Sequence, residues 1–247
     1  MKKVAEVTLV FWVMKTCATT FGETAGDLLS TTLKIGYGLS SVILLGFFLV
    51  TLILQLKSKK YNPLIYWLVI ISTSTAGTTI SDYMDRTLGL GYAKGSLLLF
   101  LCLMTVLLVW WRTEKSLEVS NISNFRPELF YWMAILCSNT LGTALGDYLA
   151  DDSGLGFAGG ALLIGLLLLG VVFLKFYTHV STILLFWVAF ILTRPFWATF
   201  GDLLTKPLEK GGLNLGTFGA SAVLLSILSI LIVNELLRKQ KQIREIN

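Results

Sequence analysis

Apolar residues run in long blocks at 41–56, 97–111, 161–175 and 220–237, almost unbroken by charge. Between them lie four further stretches that are mainly apolar but carry polar residues at regular steps. Neither kind alternates every second residue, which excludes the strand pattern of an outer-membrane barrel. Extended to about 20 residues, such segments predict transmembrane helices. The expected spans are 7–29, 37–56, 64–86, 93–112, 128–150, 157–176, 181–204 and 216–237. The pattern therefore predicts an all-α, polytopic membrane protein of eight helices in a single membrane domain, 1–247.

The polar stretches repeat. Trp12, Trp67, Trp132 and Trp187 each precede an aspartate by fifteen residues, namely Asp27, Asp82, Asp147 and Asp202. The text before each aspartate also matches: GETAGD (22–27), GTTISD (77–82), GTALGD (142–147) and WATFGD (197–202). A Gly-aromatic pair follows at Gly36-Tyr37, Gly91-Tyr92 and Gly156-Phe157, with a looser Gly216-Thr217-Phe218 in the fourth copy. These glycines read as close-docking positions at helix starts; the Thr-Val of a potassium-channel filter is absent. The units are 1–60, 61–125, 126–179 and 180–247, each holding two spans. An even number of spans per unit predicts parallel repeats about an axis along the membrane normal, a pseudo-fourfold arrangement.

Stepping back by fours from each aspartate stays on one helical face. The first copy gives Asp27, Glu23, Thr19 and Lys15, and the second Asp82, Thr78 and Ser74. The third gives Asp147, Thr143 and Asn139; the fourth gives Asp202 and Arg194. In lipid such a stripe must face the bundle interior or a wet cavity, so the odd helices belong inside and the even ones outside. Five carboxylates against Lys15 and Arg194 leave three unmatched negatives, which protons or bound cations must meet. The alternative is structural: Gly-Asp as a close-approach and capping element, Lys15 and Glu23 as a buried pair, and Arg194 on an aspartate. Asp85, Asp151 and Asp152 read as external acidity, partly offset by Lys34, Arg86 and Lys94.

Lys and Arg placement sets the orientation. Thirteen lie on the side of the termini and inter-repeat loops, against five (Lys34, Arg86, Lys94, Lys206 and Lys210) on the other, which puts both termini in the cytoplasm. The tryptophans then fall near the cytoplasmic interface, with their indole N–H groups wet, about 22 Å of helix rise from the aspartates. Composition agrees with a membrane protein: 55% hydrophobic and 14% charged residues, with a mean hydropathy of +0.74. The net charge of +5 is spread over short clusters between spans and gives no nucleic-acid footprint. Cys17, Cys102 and Cys137 have no pairing or metal-ligand spacing and read as buried thiols. The start of the chain lacks a small-residue cleavage site and carries Lys15, Glu23 and Asp27, so it is expected to remain attached. His179 reads as a solvated linker residue.

Four tandem two-helix units with a tryptophan in each first helix resemble the bacterial membrane family whose repeat is catalogued as of unknown function. The resemblance covers essentially the whole chain and implies this topology and a bacterial inner membrane, with no activity attached. Glu23-Thr-Ala-Gly26-Asp27 also resembles the Glu-x-Gly-Asp-Lys/Arg-Thr/Ser signature of a manganese/calcium exporter family. It has one extra residue before the glycine, and Leu28-Leu29 in place of the basic residue and hydroxyl.

No two-histidine metal site, Ser/His/Asp set or phosphate loop is present, so enzymatic activity and cofactors are not expected. Carboxylates with the oxygens of Thr19, Ser74, Thr78, Asn139 and Thr143 form a hard-ligand set suited to Mn²⁺, Mg²⁺ or Ca²⁺. The expected function is divalent cation transport coupled to protons. Asp27, Glu23, Asp82, Asp147 and Asp202 are the expected ligands, Glu23 doubling as a proton carrier, with Lys15 and Arg194 as internal counter-charges. The competing readings are a non-transporting scaffold, and a small-molecule exporter with a pocket shaped by Pro195, Phe196 and Trp197.

Overall fold

A computed structural model describes residues 2–120, 122–205, 207–210, 213–214 and 217–246. Gly216 and Lys206, both singled out above, lie outside the described residues. Among the described residues all regular structure is helical, with no strand. Eight α-helices follow one another: α1 (Leu9–Asp27), α2 (Tyr37–Lys57), α3 (Pro63–Asp82), α4 (Tyr92–Glu114), α5 (Phe125–Asp147), α6 (Gly156–Tyr177), α7 (Thr182–Thr205) and α8 (Thr217–Ile246). The last runs to Ile246, past the expected end at 237. The starts have local causes. Thr8 caps α1 by accepting from the Phe11 N–H, and Asn62 caps α3 by accepting from Leu64 N–H, with Pro63 as first helical residue.

The helices form two layers. α1, α3, α5 and α7 pack side by side in sequence, and α7 returns to α1 to close a ring. Each outer helix packs mainly on the inner helix of the following unit: α2 on α3, α4 on α5, α6 on α7, and α8 on α1. Burial follows the layers, since 72% of the α3 span is buried within the protein but only 28% of α6. The outward faces of α2, α4 and α6 are lined by exposed Val42, Leu98, Leu101, Leu162 and Leu166, an apolar surface far beyond what water tolerates.

Six helices, α2 to α7, are long and apolar enough to cross a membrane, by length and composition among the described residues. That is the make-up of a multi-pass membrane protein. α1 is not among the six, and carries Lys15, Glu23 and Asp27 within its 19 residues.

Small residues let the ring close. A methyl group at Gly22 would sit 2.5 Å from Ser74 Cβ, and one at Gly142 would run into the Arg194 side chain. Without a hydrophobic force between helices in lipid, this close backbone approach is the main source of packing energy. Gly22→Val is expected to cost about 1–3 kcal/mol by overpacking, read as a lower melting temperature in detergent. Gly46→Val, where no atom lies within 4 Å of the added carbon, is the control expected to leave it unchanged.

The Gly-aromatic positions have a different cause from the one expected. Gly36, Gly91 and Gly156 take φ of +83°, +74° and +66°, and an added carbon there would meet nothing within 4 Å. Backbone conformation, not close docking, requires the glycines.

The tryptophans are also placed differently. Trp67, Trp132 and Trp187 are 1%, 0% and 3% exposed. Their burial leaves no wet indole N–H, and Trp187 instead donates to Leu117 O at 3.1 Å and packs on Trp110 of α4. Edge-on and tilted ring contacts run from Trp12 through Phe11 to Trp67, then through Tyr66 to Trp132 and Tyr131. The Tyr66 and Tyr131 hydroxyls meet at 2.6 Å. Beneath this aromatic layer the N-terminal segment is tied down: Lys3 Nζ donates to Glu128 Oε2 at 2.7 Å and Gln55 Nε2 to Glu128 Oε1 at 3.0 Å. Burial of the aromatic face packs rings of neighbouring helices together, a gain an isolated amphipathic helix does not reveal. Cys102 is exposed on the apolar outer face, 3.7 Å from Cys137 Sγ, so it is not the buried, unaccompanied thiol the spacing implied.

Candidate functional site: an acidic cavity ringed by four helices

At the opposite end of the ring the polar stripes meet. α1, α3 and α5 each run on into a five-residue π-helical turn, Leu28–Thr32, Tyr83–Thr87 and Tyr148–Asp152, beginning just after the repeated aspartate. A π turn widens the helix by one residue and frees carbonyls, a device common at functional sites. Hydroxyls take up some of them: Ser30 donates to Gly26 O at 2.9 Å and Thr31 to Asp27 O at 2.6 Å.

Between these helix ends lies a cavity of about 50 Å³, lined by Glu23, Asp27, Thr31, Tyr37, Thr78, Asp82, Arg86, Thr143, Asp147 and Asp202. At roughly 10–15 Å³ of such space per water, it has room for a few water molecules or a partly hydrated ion. Seven of the twelve expected site residues line it: the four aspartates, Glu23, Thr78 and Thr143.

Arg194 lies behind the lining, bonded to three of its residues. It is fully buried and donates to Glu23 Oε2 at 2.7 Å, Thr78 Oγ1 at 2.7 Å and Thr143 Oγ1 at 3.0 Å. One α7 side chain thus ties α1, α3 and α5. The threonine hydroxyls can accept because their protons point to their own helices, Thr78 donating to Ser74 O at 3.0 Å and Thr143 to Asn139 O at 3.4 Å.

The remaining expected residues lie deeper, between helices. Thr19 donates to Lys15 O at 2.9 Å, and Ser74 donates to Thr19 O at 2.9 Å, which stitches α3 to α1. Asn139 donates to Thr73 Oγ1 at 3.0 Å. Lys15 does not pair with Glu23, and Arg194 pairs with Glu23 and not with an aspartate. The Lys15 ammonium donates to Phe190 O at 3.1 Å and stands 4.1 Å from the Phe190 ring centroid. Eight residues of helix separate Lys15 from Glu23, while α7 brings Arg194 in from the side; only the ring closure supplies the nearer partner. Phe196 stacks on Phe200 and packs by Gly165 of α6, so the residues expected to shape a fourth-unit pocket do not line this cavity.

Three lining residues escaped the sequence reading: Thr31, Tyr37 and Arg86. Arg86, an external charge by its place in the sequence, bridges two units, with Nε 3.0 Å from Asp82 Oδ1 and Nη2 3.0 Å from Asp147 Oδ2. Its side chain stays 39% exposed, and its guanidinium lies 5.8 Å from the Tyr37 ring and 5.6 Å from the Tyr92 ring. The spacing of four from Asp82 was the available signal. Among the described residues no group of three or more His, Cys, Asp or Glu side chains is arranged to hold a metal ion. A guanidinium stands between Asp82 and Asp147 instead.

The four-unit pattern decides the family. A family model described as Repeat of Unknown Function (DUF347) matches residues 10–61, 65–116, 130–181 and 185–241. The chain belongs to the DUF347 repeat family. Each matched DUF347 segment contains one Trp-to-Asp stretch and its following helix, so the cavity is built from the same place in all four. No curated protein and no solved structure matches the chain.

Proposed function

We propose that the protein is a cation transporter, and not an enzyme, exchanging a divalent ion of the Mn²⁺ kind for protons through the acidic cavity. All eight helices then span the bilayer as four parallel units about a pseudo-fourfold axis. The Lys/Arg bias supports cytoplasmic termini, with the cavity toward the external face of a bacterial inner membrane.

The observation that carries this reading is the half-exposed Arg86 bridging Asp82 and Asp147 inside a cavity rich in carboxylates. A tethered cation there occupies the place an arriving metal ion takes. Five carboxylates, Glu23, Asp27, Asp82, Asp147 and Asp202, line the cavity, an environment that suits positive guests and can take up protons when the guest leaves. Hydroxyl and carboxylate oxygens suit hard ions.

The Arg194 cluster on its own also fits a non-transporting scaffold, since it joins four helices with its charge matched. Flux into proteoliposomes separates the readings. Wild-type protein is expected to take up Mn²⁺ with proton release, and Asp27→Asn and Glu23→Gln to lower the rate by about tenfold, the scale of a modest coupling free energy. The lipid-facing Leu97→Ala is expected to change nothing. Unchanged flux in both carboxylate variants removes the mechanism; no flux in any form favours the scaffold.

A further inference from the structure

Asp85 is not among the residues that line the acidic cavity. It sits in the π-helical turn after α3, three residues beyond Asp82. The other units carry Ser30, Ala150 and Thr205 at this place, so the acid is peculiar to the second unit. Although it reads in the sequence as external acidity, Asp85 is only 5% exposed. Its carboxyl group presses against α4 at Gly95, where any side-chain carbon would overlap Asp85 Oδ1.

The hydrogen bonding of this carboxyl is poor. Ser81 Oγ approaches Oδ2 at 3.4 Å, and Oδ1 is buried with no hydrogen-bond partner. Ser30, at the same place in the first unit, satisfies its hydroxyl on Gly26 O. The charged groups that reach Asp85 are Arg86 on its own turn and Asp147 from α5, with Asp82 one turn back and the Tyr92 phenol on α4. Arg86, the one cation among them, is turned away to Asp82 and Asp147. A carboxylate so placed would have no ion pair and a single long hydrogen bond, from Ser81, whereas a neutral acid is tolerated there.

We infer that Asp85 holds the exchangeable proton, and that Arg86 couples its release to cation entry. The inference rests on the cation/proton reading above. A cation entering the cavity takes Asp82 and Asp147 from Arg86. The freed guanidinium turns to the adjacent Asp85, whose O–H bond breaks; the proton leaves through the cavity water, and the carboxylate pairs with Arg86. Two ion pairs are exchanged for one plus a bound cation, and each cation bound releases one proton from this residue. Gly95 provides the space that keeps the acid folded away until then.

The test uses the full chain in lipid, with infrared difference spectra between neutral and alkaline pH. Wild type and Asp85→Glu are expected to show the carbonyl stretch of a neutral carboxylic acid, lost at high pH, and Asp85→Asn to lack that component. Mn²⁺ is expected to diminish it in wild type at fixed pH. In proteoliposomes, Asp85→Asn is expected to lower proton-driven net Mn²⁺ uptake about tenfold while keeping Mn²⁺/Mn²⁺ exchange, as for loss of coupling alone. A spectrum unaltered by Asp85→Asn, or equal loss of exchange and net uptake, overturns the inference. If wild type moves no Mn²⁺ but the infrared component is present and Mn²⁺-insensitive, the proton site stands and the transport reading fails.

Discussion

Arg194→Met is expected to destabilise the protein by about 3–5 kcal/mol, the usual cost of breaking a buried ion pair from one side. The guanidinium is fully buried and bonds Glu23, Thr78 and Thr143, so its loss undoes three inter-helix ties at once. Methionine keeps most of the volume that a methyl at Gly142 would overlap, so the effect isolates charge and hydrogen bonding from packing. Thermal unfolding in detergent measures it. The double variant with Glu23→Gln is expected to be more stable than Arg194→Met alone, because no carboxylate is then left without its guanidinium. A single variant as stable as wild type would show that the pair does not hold the ring together.

Arg86→Gln is expected to separate binding from turnover. If the guanidinium competes with the cation for Asp82 and Asp147, its removal tightens Mn²⁺ binding by roughly 5–150-fold, the range of ordinary coupling energies. The bound ion then has no internal replacement to expel it, so net flux falls. Equilibrium binding of Mn²⁺ to the reconstituted protein and flux into vesicles read the two effects separately. A scaffold predicts neither. A merely attractive cavity predicts tighter binding with unimpaired flux, and that result would remove Arg86 from the exchange step. Arg86→Lys, which keeps the charge but not the two-pronged reach, is expected to restore part of the flux.

How far the chain's text carried differs by element. The repeat was legible because four Trp-to-Asp stretches share their spacing, and the stripe at steps of four put Asp27, Asp82, Asp147, Asp202, Glu23, Thr78 and Thr143 on faces that do meet in one cavity. The burial of the tryptophans was not legible. An indole near a helix end suits an interface as well as an interior, and only the neighbours across the ring decide. Lys15 and Arg86 exchanged expected roles for a related reason. Lys15 shares the helical stripe with Glu23, yet its ammonium is taken by Phe190 on α7. Arg86 lies at the expected end of the second unit's first span and counts there as an external charge, yet within the π-helical turn it lines the cavity. A change from α to π winding shifts every later side chain around the axis, and periodicity written for 3.6 residues per turn cannot anticipate it.

By itself, then, the sequence determined the helical character, the four units and the face of each inner helix that is polar, because these follow from apolar run length and from spacing along one chain. Which helix lies beside which was left to the tertiary structure: each outer helix settles on the next unit's inner helix, and α8 closes the circle on α1. The meeting of α7 with α1 chose the buried ion pair, since a buried charge takes the nearest partner in space, and Glu23 finds Arg194 on a helix more than a hundred residues away.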